Sequence, residues 1–255
     1  GAMSKALNPG WAARTGIEAV RLAQAGMTGP SSVLESTFGV MNAFAGRSEG
    51  LEAQLATLGE EWLLPQAAFK VYPCCHYIHP FLEAVAQVMA QGVNASNVIS
   101  LTAFVPPPAA PLICEPWSRR QAPVSGYDGK WGLAYCMALL LVDGHVDVAS
   151  FESAPRTDVV AVARRMMWKP LQDHGFPYRF AAQIDVETSR GQISAQINQV
   201  RGAPDRPLMV EDICNKFATN VGRKFSAERV GDLEDIILNI YDAGDMGQLT
   251  ALLRS

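Results

Sequence analysis

FKVYPCCHYIHPF, residues 69–81, gathers two of the five cysteines, two of the four histidines and a lysine into one short stretch. It also marks where the texture of the chain changes. Residues before it read as helical, and residues after it mix helical and strand patterns. Its own chemistry has to be sorted first. A zinc site pairs C-x₂₋₄-C with a second pair of ligands, and adjacent cysteines project in different directions. No C-x-x-C occurs anywhere in the chain, so neither a zinc site nor a thioredoxin-like redox pair is expected here. Cys74 and Cys75 then read as small buried hydrophobes. His76 and His79 are three apart, so they share one face at the start of a helix, in a structural or a catalytic role. Lys70 and Tyr72 point to one side of an extended segment. Lys70 beside the histidines suits a carboxylate, or is a solvated surface lysine.

N-terminal to this stretch, Pro9-Gly10 precedes a helical face of Trp11, Ala12, Ala13, Ile17 and Val20 that stops at Gly26. Lys5 stands just before that helix start, where free N–H groups and the macrodipole attract anions. Ser32 followed by Glu35 reads as a capping box opening a second helix. Leu51, Leu55 and Leu58 give another helical stripe. Gly1-Ala2-Met3 reads as a tag remnant outside the fold.

On the C-terminal side, residues 67–72 read as a short strand, and Phe81, Leu82, Val85 and Met89 as a helix. Asn97 to Val105 reads as a strand rich in β-branched residues. A proline-rich loop follows from Pro106 to about Tyr127, long enough to be functional or mobile. Trp131 to Val142 reads as a buried helix ending at Asp143-Gly144, and Asp158 to Met167 as another helix. Phe180 to Glu187 and Gln192 to Val200 alternate around Ser189-Arg190-Gly191, a hairpin. From about 207 the chain is helical again, with Ile213, Phe217 and Val221 on one face and Leu233, Ile236, Ile237 and Ile240 on another. The expected fold is α+β: helical segments 4–66 and 207–255 form one partial helical domain, and an α+β lid domain, 67–206, is inserted between them.

Composition narrows the function. With 49% hydrophobic residues and 18% charged, there is material for a sizeable core. A net charge of −4 gives no footprint for nucleic acid or anionic membrane. No apolar run approaches the ~18 residues of a membrane span. An odd number of cysteines without framework spacing points to reduced thiols and a cytoplasmic setting. The glycines around Gly126-Tyr127-Asp128-Gly129-Lys130 match no nucleotide-binding pattern, and neither G-x-S-x-G nor H-E-x-x-H occurs. Tyr135, inside an apolar helix, is either a core tyrosine with a tethered hydroxyl or a proton donor in a pocket.

Four stretches in order resemble the MmgE/PrpD family. They are KALNPGWAARTGIEAVRLAQAGMTGPSSVLES (5–36), FKVYPCCHYIHPFLEAV (69–85), GKWGLAYCMALLLVDGHVDVASF (129–151) and ICNKFATNVGRKFS (213–226). The family includes 2-methylcitrate dehydratases, cis-aconitate decarboxylases and an iminodisuccinate epimerase. The resemblance implies a metal-free, cofactor-free lyase acting on a small di- or tricarboxylate. Its cleft would lie between a helical domain and an α+β lid, commonly in a dimer. It implies substrate-binding roles for Lys5, Lys70, Cys75 and Lys130, and catalytic roles for Tyr135, His76 and His79. Cys75 falls where cis-aconitate decarboxylases tend to carry a histidine. Asn8 stands where relatives often carry another, and Trp131-Gly132 replaces Phe-Ser.

Family members are nearly twice as long as this chain. The expectation is therefore a truncated or split form, working as a homo-oligomer or with a second chain that supplies the missing helical half. The alternatives are a non-catalytic or partner-dependent subunit, or a repurposed isomerase or cyclase using the same cleft.

Overall fold

The computed structural model describes residues 3–254, so Gly1 and Ala2 of the expected tag remnant lie outside it. The chain divides into two compact units, one ending at Ala67 and the other starting at Ala68.

The first unit holds a 3-10 turn, Met3–Ala6, and helices α1 (Leu7–Gln24), α2 (Val40–Ala45) and α3 (Leu51–Leu55). α1 begins before Pro9 rather than after it. The first four N–H groups of a helix have no intrahelical partner, so proline costs nothing there. The helix ends as expected at Gly26, whose φ of 95° is left-handed, with the Met27 N–H donating to the Leu22 carbonyl. The expected helix at Ser32–Glu35 is instead a run of turns. The Val33 and Leu34 carbonyls accept from Val40 and Met41 (2.9 and 3.1 Å), so the segment folds back on itself instead of coiling onward. Leu58 likewise falls beyond α3.

The second unit carries the α+β body. Residues 67–72 form no strand; the segment is tied by Phe69 N–H to the Gly202 carbonyl (2.8 Å) and by Lys216 Nζ to the Lys70 carbonyl. Pro73 follows and has no N–H to extend a ladder. A 3-10 turn, His76–Ile78, leads into α4 (His79–Met89), with Pro80 in its first turn. Then come β1 (Val98–Val105), α5 (Ala110–Ile113), α6 (Trp117–Gln121), α7 (Gly126–Gly129), α8 (Leu133–Asp143), α9 (Thr157–Ala163), β2 (Met166–Pro170), β3 (Ala182–Thr188) and β4 (Gly191–Ile197). Three further helices follow: α10 (Val210–Val221), α11 (Ala227–Leu238) and α12 (Gly247–Leu253).

The sheet order is β2-β1-β3-β4. β1 runs parallel to β2 and antiparallel to β3, and β3–β4 is the expected hairpin. Leu101, Ala103 and Val105 of β1 and Ile184 and Val186 of β3 are buried on one face. There α4 packs on β3 and β4 and against α8. Ser100, Thr102, Asp185 and Glu187 line the other face around an open pocket, the one-sided pattern of an antiparallel sheet.

Two expectations fail in this body. The helix over 158–167 stops at Ala163, and Met166–Pro170 pairs with β1, Leu101 facing Met166. A parallel ladder on the β1 edge outweighs a weak local preference. The stretch from Pro106 to Tyr127 is not a loop but a series of short helices with Ala109, Ala110 and Ile113 buried. Asp128 anchors its end. The carboxylate is almost fully buried and accepts from Arg119 Nε (2.9 Å) and the Val124 N–H (3.1 Å). Gly126 is required there, because a Cβ would sit 2.1 Å from the Phe151 carbonyl oxygen.

Candidate active site

The stretch 69–81 is built as a wall. Cys75 N–H donates to the Lys130 carbonyl (2.9 Å), which fixes the backbone just ahead of α4. The turn into α4 then brings His76 against His79, ring centroids 4.9 Å apart and planes tilted by 46°. Tyr72 meets the His79 ring edge-on at 5.4 Å. Phe180 meets His76 edge-on at 5.1 Å, and is itself stacked on Tyr77.

His79 is 1% exposed. Its two ring nitrogens, and Nε2 of His76, lie buried without a hydrogen bond of full geometry among the described residues. Burial disfavours the charged imidazolium. His79 is pushed down to about 3, by burial first and then by the neighbouring His76, with smaller contributions from Lys70 and Lys216. The Cys74 backbone works against that shift without cancelling it. His76 is also lowered, by burial and then by Lys70. Both rings are therefore neutral near pH 7, and His79, held down to about 3, is the weaker base by far.

Lys216 is the residue that sequence reasoning missed. It lies on α10, and its Nζ donates to the Lys70 carbonyl. Burial and the Lys70 charge together lower it from the ordinary lysine value. Lys70, His76, His79 and Lys216 thus form one basic group. The signal was present in the sequence, since Lys216-Phe217 opens the Lys-Phe motif of the C-terminal stretch. Nothing local, however, tied that motif to Lys70.

Beyond His79 lies a pocket of about 120 Å³ lined by Val71, Tyr72, Glu83, Ala86, Val200 and Arg201. Its charges are paired off: Glu83 with Arg206, and Arg201 with Asp212. The Tyr72 phenol is held up from its ordinary value by burial, then by Glu83.

Cys75, Lys130 and Tyr135 lie in the same unit as the two histidines. Cys75 is buried beside the Cys136 thiol, which burial and its neighbour Cys74 push well up. The Lys130 ammonium sits over the Tyr127 and Phe151 rings, at 5.7 and 5.4 Å. Tyr135 is buried with its ring against Gly129. Burial raises its phenol, and a hydrogen bond with the Arg156 backbone opposes that. Lys5 is an exposed residue on the turn before α1, in the unit that ends at Ala67.

Residues 72–241 match the MmgE/PrpD C-terminal domain, and residues 1–51 match the MmgE/PrpD N-terminal domain. The chain belongs to the MmgE/PrpD family. Among curated relatives of this MmgE/PrpD chain, the cis-aconitate decarboxylase of Aspergillus terreus is 25% identical over 272 residues, covering 99% of this chain and 55% of that protein. Human cis-aconitate decarboxylase is 27% identical over 258 residues, covering 98% and 53%. The mouse protein is 25% identical, covering 98% and 52%. The chain spans about half the length of the curated relatives it matches. The MmgE/PrpD C-terminal match starts at Tyr72, so both histidines and Lys216 lie inside it and Lys70 just precedes it. Among the described residues, no helix is long and apolar enough to cross a membrane.

Proposed function

We propose that this MmgE/PrpD protein serves a lyase reaction on a small di- or tricarboxylate, with cis-aconitate the first substrate to test. The observation that carries this reading is the pair of neutral imidazoles, His76 and His79, set beside Lys70 and Lys216. A carboxylate placed on Lys70 gains a charge-assisted hydrogen bond. A neutral imidazole next to it can take a proton from the carbon beside a carboxylate, after which hydroxide leaves and an alkene forms. In the decarboxylation variant, a C–C bond breaks and CO₂ departs. The electron pair left on carbon is then protonated, the proton passing through the same imidazole. His76, half-buried and nearer the surface than His79, is the proposed carrier, and His79 fixes its ring. Cys75 and Lys130 enter as framework, joined through their backbones. Tyr135 enters as the packing link between α8 and the backbone before α9.

The test is turnover of cis-aconitate by the purified chain, followed by NMR of the five-carbon dicarboxylate product. Lys70→Ala should lower kcat/KM by about 10- to 100-fold, the worth of a hydrogen bond to a charged group. His76→Ala should lower kcat by about 10²- to 10⁴-fold. Unchanged kcat/KM in Lys70→Ala would rule out the carboxylate role.

A second reading, in which activity needs another polypeptide or a second copy, draws on α1. Trp11, Ile17 and Val20 there are each more than half exposed, and apolar patches of that kind mark interaction surfaces. Under it the purified chain is inactive alone and gains turnover with its partner. Light scattering that shows an active monomer would remove it.

A further inference from the structure

A cleft of about 210 Å³ adjoins the basic group. Val71 and Pro73 form one wall, residues 146–148 of the α8–α9 connection another, and Asn215, Lys216 and Asn220 of α10 the third. Its polar side is therefore supplied largely by one helix, with Lys216 as the cation. That ammonium is half-buried and carries three donors, of which one goes to the Lys70 carbonyl. Among the described residues, neither Lys70 nor Lys216 has a carboxylate within ion-pair distance.

Asp147 is the acid in the cleft wall, and its carboxylate is already engaged. It accepts from the Ser150 N–H (3.0 Å) and Ser150 Oγ (3.1 Å), and His145 stands 3.8 Å away. A partly desolvated ammonium beside a second ammonium is unfavourable unless an anion joins it. Burial first, and then the Lys70 charge, lower Lys216 from the ordinary lysine value in keeping with that. The Glu83 pocket shows the contrast, because there every cation has its carboxylate.

We infer that Lys216 is a second carboxylate-binding residue, and that the cleft beside α10 takes one carboxylate arm of a di- or tricarboxylate whose other arm rests on Lys70. The inference rests on the lyase reading for the identity of the ligand, but not for the existence of the site. It assigns α10 a direct part in specificity: two cations at the same wall select for a ligand with at least two carboxylates.

The test is binding, not turnover. The whole chain is titrated by calorimetry with propane-1,2,3-tricarboxylate, which has no alkene to react, and with propionate. The tricarboxylate should bind at least about 10-fold more tightly than propionate, the difference expected for one added charge-assisted bond. Lys216→Gln keeps a donor for the Lys70 carbonyl and removes the charge. It should weaken the tricarboxylate by about 10-fold or more and change propionate less than about 2-fold, while Lys216→Arg stays near wild type. A purely structural tether would shift the melting temperature in Lys216→Gln and leave the affinity ratio alone.

Wild-type protein gives a readout that depends on no variant's folding. Saturating tricarboxylate should protect Lys216 from acetic anhydride several-fold, read by mass spectrometry. Equal labelling with and without the tricarboxylate, or an unchanged affinity ratio in Lys216→Gln, overturns the site. Lys216-dependent binding without turnover of cis-aconitate would instead sink the lyase reading and leave the site standing. Turnover with kcat/KM unaffected by Lys216→Gln would do the reverse.

Discussion

Helices α1 and α8 are both rich in apolar residues, yet they meet solvent in opposite ways. Every residue of α8 from Leu133 to Leu141 is buried. No residue of α1 is buried, and Trp11, Ile17 and Val20 on it are 57–58% exposed. An isolated helix of this length is marginal in water, so α8 owes its stability to packing against α4 and α9. α1 has propensity, an exposed ion pair of Arg21 with Glu18 at 3.3 Å and Arg14 over the Trp11 ring at 5.3 Å, and such an exposed ion pair is worth a few tenths of a kcal/mol at best. The lesson is that the α+β body carries its own core, whereas α1 leaves its apolar residues at the surface.

This contrast can be broken by two matched truncations. Ile78 is fully buried and Ile17 is 57% exposed. Ile78→Ala should cost about 2–5 kcal/mol, the transfer and cavity terms of a closed core. Ile17→Ala should stay within about 0.5 kcal/mol. Urea melts at several protein concentrations measure both. A large, concentration-dependent cost for Ile17→Ala would show that α1 is already covered in solution, by a second copy of the chain.

The next effect lies in the acid limb of stability and belongs to the buried side of the comparison. His79 is held neutral down to about pH 3 in the folded chain and takes a proton near pH 6.5 once unfolded. Between those values the unfolded state binds more protons, so stability rises with pH. It is complete above about 6.5 and falls by up to about 1.4 kcal/mol per pH unit below it. His79→Leu should flatten that limb in a series of melts from pH 7 to pH 4. An equally steep limb in the variant would place the acid sensitivity in other groups.

Sequence periodicity located the parts of the fold whose pairing is local. β1, the β3–β4 hairpin around Arg190-Gly191, α4 and α8 all lie within a few residues of expectation, because alternation and apolar runs report directly on burial. β2 escaped because its ladder partner, β1, is distant in sequence, and nothing in Met166–Pro170 favours a strand until that edge is offered. The segment ending at Asp128 escaped because its order comes from Arg119 and Val124 closing on one carboxylate. Composition alone cannot show such closure. At the site the same divide holds. Lys70, His76 and His79 stand together in one legible stretch, whereas Lys216 reaches Lys70 across 146 positions. The capping box expected at Ser32–Glu35 does not form: the segment is a run of turns whose carbonyls accept from Val40 and Met41.

Tyr135 gives the smallest expected effect and the finest cut between core and site. Motif resemblance placed it in the proton transfer, while the structure surrounds it with packing: Gly129 against the ring, and the Arg156 backbone at the phenol. Tyr135→Phe removes the hydroxyl and keeps the ring. As a packing residue it should lose about 1 kcal/mol of stability, the net worth of one hydrogen bond, with turnover within about 2-fold of wild type. As a proton carrier it should keep its melting temperature and lose about 10²- to 10⁴-fold in kcat. The two outcomes move different observables, so one melt and one progress curve decide between them. A kinetic loss would extend the functional wall from α4 into the body that α8 otherwise only holds together.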